Sequence, residues 1–107
     1  MIKNRKKRND RNHILYEIVN THTGESYLGI TAAIGRRFLY SVRLRFQKHC
    51  SRAKCEAKGW KLYENMREWG PDVYDVFLLD VVRGKAKAHQ IEAQLLREFQ
   101  YELNSTH

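Results

Sequence analysis

The stretch His13-Ile14-Leu15-Tyr16-Glu17-Ile18-Val19-Asn20-Thr21-His22-Thr23-Gly24-Glu25-Ser26-Tyr27-Leu28-Gly29-Ile30-Thr31 decides the fold. Two short apolar runs flank a polar segment, Asn20 to Glu25, that contains a glycine, which is how two antiparallel strands joined by a turn read. With a side-chain period of two, Ile14, Tyr16 and Ile18 share one face, and Leu15, Glu17 and Val19 share the other. In the second strand Tyr27 and Gly29 fall together, opposite Leu28 and Ile30. The hairpin therefore brings two phenols together, and Gly29, without a Cβ, lets backbone or ligand come close beside them.

Outward from the hairpin, residues from about Ala32 to Ala57 turn helical and basic. Arg36, Arg37, Arg43, Arg45, Lys48, Arg52 and Lys54 alternate with Phe38, Leu39, Val42, Leu44 and Phe46, and Gly35 marks a loop or turn before the longer helix. A second helix is expected over Lys58–Trp69, with Leu62, Met66 and Trp69 at helical spacing and Gly70-Pro71 as its stop. Val73–Val82 is apolar on both faces, Val73, Phe77, Leu79 and Val81 against Tyr74, Val76, Leu78 and Val82, which predicts a central strand covered on each side. Arg83-Gly84-Lys85 turns the chain into a last helix, about Ala86–Leu103, with Ile91, Leu95 and Phe99 as its buried stripe. The expected class is α+β: a three-stranded, largely antiparallel sheet flanked by three helices, in the order β-β-α-α-β-α.

The 107 residues have room for one domain, read as 13–107, behind a basic, flexible arm over residues 1–12. That arm holds Arg5, Lys6, Lys7 and Arg8 among its cations against a single acid, Asp10, the composition of a nucleic-acid-binding tail. The chain is 42% hydrophobic and 30% charged, with a net charge of +8 and a pI near 9.7. Clustered charge of this size points to nucleic acid ahead of other polyanions. An anionic membrane is the competing partner, but no basic amphipathic helix with an exposed aromatic face stands out. No apolar run approaches the ~20 residues of a membrane span, and the charged start is not followed by a signal-peptide core. Cys50 and Cys55, five positions apart, form neither a disulfide framework nor a C-x-x-C pair. His49 beside them lacks the further ligands of a zinc site, so both are read as reduced thiols in a cytoplasm.

Several residues in order resemble the GIY-YIG nuclease family, over roughly Ile14 to Ser105. Ile14-Leu15-Tyr16 stands at the first motif and keeps its tyrosine, and Tyr27-Leu28-Gly29 stands at the second, keeping tyrosine and glycine. The family's arginine followed four residues later by a histidine is matched by Arg45 and His49. Its helical glutamate and a later asparagine are matched by Glu92 and Asn104. Arg36 and Arg37 stand nearer to where a shorter chain would put the arginine, yet neither has a histidine four residues on, so Arg45 is preferred and Arg37 is second. The segment Arg36–Arg43 then reads as an insertion that grips DNA.

The chemistry fits these residue types. Hydrolysis of a phosphodiester requires a deprotonated water, positive charge on the phosphate oxygens and help for the leaving oxygen. Arg45 and His49, four apart on a helix, share one face, and an arginine fork can bond two phosphate oxygens at once. Glu92 can hold Mg²⁺ or Mn²⁺ if waters and the phosphate complete the octahedron. Either Tyr16 or His49 can serve as the base, and the resemblance implies Tyr16 with His49 assisting and Tyr27 orienting the nucleophile. Taken singly, each residue has a plainer explanation: strand tyrosines, a solvated histidine, a glutamate paired with Lys85 or Lys87, an asparagine ending a helix.

The expected function is thus a divalent-metal-dependent endonuclease acting on duplex or branched DNA in the cytoplasm of a bacterial or phage-infected cell. The catalytic set is Tyr16, Tyr27, Arg45, His49, Glu92 and Asn104, with Glu92 as the metal ligand. Arg5, Lys6, Lys7, Arg8, Arg36, Arg37, Arg43, Lys48 and Lys58 would hold the backbone. No separate specificity domain is read, so weak sequence preference, a homodimer or a partner is expected. The alternative is a non-catalytic nucleic-acid-binding module on the same fold.

Overall fold

In the computed structural model, which describes residues 11–56 and 59–105, the hairpin forms as its sequence requires. β1 (Asn12–Asn20) and β2 (Ser26–Ala32) pair antiparallel, with Tyr16 opposite Gly29 and Ile18 opposite Tyr27. β1 begins at Asn12, one residue before the boundary expected for the arm, because Asn12 already pairs with Arg83. The turn is held by the buried Asn20, whose Oδ1 accepts from the backbone N–H groups of His22 and Thr23 at 2.9 and 3.2 Å. Such asparagine bonds substitute for the strand ladder where it has to stop.

Two helices follow. α1 (Phe38–Cys55) starts once the turn after β2 is complete, and α2 (Lys61–Trp69) starts three residues later than its expected bound. α2 ends at Gly70, whose φ of +81° suits a residue without Cβ, and Pro71 opens a short 3-10 turn over Pro71–Val73. β3 (Tyr74–Arg83) and α3 (Lys85–Glu98) complete the chain.

The sheet order is β2-β1-β3, antiparallel throughout. β1 is therefore the central strand, and β3 lies at the edge, not at the centre as its apolar run suggested. Its apolar pattern on both faces comes from a bulge: Leu15 pairs with Asp80 and Tyr16 with Leu78, so Leu79 has no partner and the facing pattern switches there. Val76, Leu78 and Val81 consequently share one side, whereas a constant period of two would set Val81 apart from the other two. Phe77 and Leu79 are exposed, together with Asp75 and Asp80. A kinked strand carrying acids is a poor template for another strand, which protects this edge.

The two faces of the sheet build two apolar layers. On one, Ile14, Tyr16 and Ile18 pack with Val42 and Ala53 of α1 and Leu62, Tyr63 and Met66 of α2. On the other, Leu15, Leu28 and Val82 pack with Ala88, and Ile91, Leu95 and Leu96 complete the cover from α3. Three apolar residues of the expected helices lie outside these layers. Leu39 is exposed on α1, Trp69 is partly exposed and stacks on His22, and Phe99 is 57% exposed because α3 ends at Glu98. Past that end the chain returns to the outer edge of β2, where the Leu103 N–H donates to the Ser26 carbonyl at 2.9 Å. Leu103, and not Phe99, is the buried anchor of the C-terminal segment.

Candidate active site

The hairpin register sets the first two groups. Tyr16 and Tyr27 lie on the α1 side of the sheet, one on β1 and one on β2, with ring centroids 6.3 Å apart. Gly29 sits between them in space. A Cβ there would stand 2.5 Å from both Cζ and Oη of Tyr16 and 2.8 Å from Cε2 of Tyr27. The close approach for which the glycine is needed is thus made by the phenols themselves.

α1 supplies the next two. Arg45 and His49 share its inner face, as their spacing requires. Nε2 of His49 meets the Tyr16 hydroxyl at 2.8 Å, while its Nδ1 meets the Tyr63 hydroxyl at 3.1 Å. The imidazole is 1% exposed and Tyr16 and Tyr63 are 0% exposed, so the three groups form a closed chain of hydrogen bonds inside the first layer. Tyr27 stands at its partly open end and crosses the His49 ring edge-on, 5.4 Å between centroids.

Burial dominates the electrostatics. It raises the Tyr16 pKa above that of a free phenol, reinforced by Tyr27 and opposed by the charge of Arg45. Burial also raises Tyr27, Arg45 again opposing, with the nearby Tyr63 and the Glu92 carboxylate adding to the rise. His49 is driven down to about 3 by burial first, then by the charges of Arg45 and Arg52. At neutral pH Tyr16 and Tyr27 are therefore protonated and His49 is a neutral imidazole. Neither Tyr16 nor His49 touches solvent; Tyr27 is the phenol that does.

Arg45 is half-buried, and its Nε is buried without a hydrogen-bond partner among the described residues. A buried donor on a permanently charged group costs on the order of 1–3 kcal/mol or more when unpaired, so native proteins seldom keep one. Glu92 stands on α3, which packs on the face of the sheet opposite to Tyr16 and His49, and its link to the cluster is the small rise that its carboxylate adds to the Tyr27 pKa. Its Oε1 lies 3.3 Å from Nδ1 of His89, one turn earlier, in place of the Lys85 or Lys87 pairing the sequence allowed.

Asn104 does not point into this cluster. Its Oδ1 accepts from the Leu28 N–H at 2.8 Å and its Nδ2 donates to the Leu28 carbonyl at 2.9 Å. It lies in a turn beyond α3, not at a helix end, and clamps the backbone of the outer strand between Tyr27 and Gly29. Its contribution to the site is to hold that strand in place.

Around the cluster the basic residues spread outward. Arg36, Arg37, Arg43 and Lys48 are all exposed, and the Arg37 guanidinium lies 4.1 Å over the Tyr40 ring. No acid occupies the first turn of α1, and Arg37 is its N-cap residue, against the helix-dipole preference. Arg5, Lys6, Lys7, Arg8 and Lys58 lie outside the described residues. Cys50 and Cys55 are both on α1 as free thiols.

Tyr63 escaped the sequence reading, since a tyrosine beside Leu62 on an apolar helix face looks like packing. The signal available was general: a buried tyrosine hydroxyl needs a partner, and His49 stands on the neighbouring helix. Among the described residues no group of three or more His, Cys, Asp or Glu side chains could hold a metal ion, and no helix is long and apolar enough to cross a membrane. No protein-family model, curated protein or solved structure matches the chain.

Proposed function

We propose that this cluster is the active site of a divalent-metal-dependent endonuclease of the GIY-YIG type that hydrolyses DNA phosphodiester bonds. The observation that carries the reading is the half-buried Arg45, its Nε unpaired among the described residues, beside two phenols wired to a buried histidine. A phosphate oxygen supplies the acceptor that the Arg45 Nε lacks, in the geometry a guanidinium favours. The +8 charge and the exposed cations around α1 suit a polyanionic substrate.

In this reading the residues divide the work. Tyr27, the accessible phenol, takes a proton from the attacking water while its own passes to Tyr16, and the Tyr16 hydroxyl proton passes to Nε2 of His49. The hydroxide oxygen bonds to phosphorus and the bond to the leaving oxygen breaks. Arg45 both binds and regulates: burial first, and the Arg45 charge after it, keep His49 a weak base, and a phosphate that offsets that charge removes the second part of the depression. The chain is therefore strongest when substrate is present.

The donor set at the site suits Mg²⁺ or Mn²⁺. Glu92 offers one hard carboxylate, and such ions accept a single protein carboxylate when water and substrate oxygens fill the remaining positions. When bound, the ion would supply positive charge at the phosphate and its leaving oxygen.

The test is conversion of supercoiled plasmid to nicked circles by wild type and Glu92→Ala, in Mg²⁺, in Mn²⁺ and with EDTA, both proteins verified as folded. Metal-dependent nicking confined to the wild type is expected. Tight, salt-sensitive DNA binding with no cutting by either protein would favour a non-catalytic nucleic-acid-binding module instead. Branched substrates and sizing of the protein in solution then address duplex preference and a homodimer.

A further inference from the structure

We infer that Tyr63 is a positioning residue: it accepts a hydrogen bond from Nδ1–H of His49 and so leaves Nε2 bare, facing the Tyr16 hydroxyl. The tautomer stands on geometry alone, whereas its use in proton transfer rests on the nuclease reading above.

The direction of the two bonds follows from their lengths and surroundings. A neutral imidazole has one N–H and one lone pair in its plane, so of the two tyrosines one donates to it and the other accepts. Hydroxyl donors make shorter bonds than ring N–H donors, near ~2.7–2.8 Å against ~2.9–3.0 Å. Tyr16 is 2.8 Å from Nε2 and Tyr63 is 3.1 Å from Nδ1. The shorter bond is then Tyr16 O–H to Nε2, and the longer is Nδ1–H to Tyr63.

The surroundings hold this arrangement in place. Tyr63 is 0% exposed although it lies in the first turns of α2, because the Trp60 indole stacks on its ring at 5.2 Å between centroids and 29° between planes. Water therefore does not compete for Nδ1. A histidine fixed the other way, with its proton on Nε2, would donate to the Tyr16 oxygen and could not take the Tyr16 proton. The second nitrogen's partner decides which nitrogen is basic.

Long-range proton–nitrogen correlation spectra of the protein labelled with ¹⁵N-histidine read the tautomer directly at neutral pH. The wild type is expected to show His49 protonated at Nδ1 and bare at Nε2. Tyr63→Phe, which keeps the ring and removes the acceptor, is expected to shift His49 toward the Nε2–H form or a mixture. Tyr16→Phe, with Tyr63 intact, is expected to keep Nδ1–H. A wild-type proton on Nε2, or a tautomer in Tyr63→Phe unchanged from wild type, overturns the assignment. Should Tyr63→Phe fail to fold, the wild-type and Tyr16→Phe spectra decide alone, since a flip in Tyr16→Phe also overturns it.

Plasmid nicking by Tyr63→Phe is expected to slow roughly tenfold or more at unchanged DNA affinity, the scale of a lost acid–base alignment. A moved tautomer with an unchanged rate would overturn the positioning role while leaving the tautomer. If the wild type cuts no DNA, the nuclease reading fails and the spectra still judge the tautomer.

Discussion

Gly29→Ala tests whether the site is built around the contact between β2 and the Tyr16 phenol. The added Cβ would lie 2.5 Å from Cζ and Oη of Tyr16, where ordinary carbon contacts are about 3.5–4.0 Å. The ring has to retreat by roughly 1 Å, and it cannot do so freely, because it is 0% exposed and bonded to His49 at 2.8 Å. Overpacking of this kind costs about 1–3 kcal/mol, and stretching the buried hydrogen bond adds on the order of 1 kcal/mol. A total of about 2–4 kcal/mol is a large share of the stability of a domain this size and lowers its Tm by roughly 10–20 °C. Urea unfolding of wild type and variant, with equal m-values, measures the loss. A double-mutant cycle with Tyr16→Leu identifies its source: the leucine lacks the clashing atoms, so the Gly29→Ala penalty should shrink by at least half in that background. A Gly29→Ala protein within about 0.5 kcal/mol of wild type, or a penalty that persists in full in the Tyr16→Leu background, would refute the cradle.

Acid should weaken the fold through His49, whose native pKa lies near 3 against 6.5 in the unfolded chain. The unfolded state takes up a proton that the native state refuses, so the stability held above pH 6.5 is lost as pH falls toward 3. The stability difference between wild type and His49→Gln is expected to move by about 2 kcal/mol against the wild type between pH 7 and pH 5; a constant difference contradicts the buried neutral imidazole. Asn104→Ala should cost about 1–3 kcal/mol and speed hydrogen exchange at the Leu28 amide, since both backbone groups of Leu28 lose their partner. Exchange at Leu28 unchanged from wild type would contradict the clamp. Arg43→Gln with Lys48→Gln should lower DNA affinity and flatten its dependence on log salt by roughly 0.9 for each phosphate contact removed; an unchanged slope puts the DNA on another face.

Much of the architecture is legible in local pattern. The hairpin is, because alternation and a glycine-bearing turn fix register between neighbours, and with it the meeting of Tyr16 and Tyr27. The Arg45–His49 pair is, because four residues make one helical turn. Strand order is not local: Val73–Val82 carries apolar residues on both sides because of the bulge at Leu79, and only the pairing of β2 and β3 with the two edges of β1 makes β3 an edge strand. The exposure of Phe99 and the burial of Leu103 depend on where α3 stops and on the return of the chain to β2, a docking that involves residues 76 positions apart. Tyr63 belongs to the same class of long-range fact, since its hydroxyl matters only once α2 has packed against α1.

The central claim is that the phenol–imidazole chain performs chemistry and does not merely fill the core. Single-turnover cleavage of saturating DNA in Mg²⁺ by Tyr16→Phe tests it most directly, because the substitution removes one hydroxyl and leaves the ring, Gly29 and Arg45 in place. The account predicts a rate roughly 10²–10⁴ lower with DNA affinity unchanged. Cleavage at the wild-type rate, in a variant whose binding is also wild type, would contradict it.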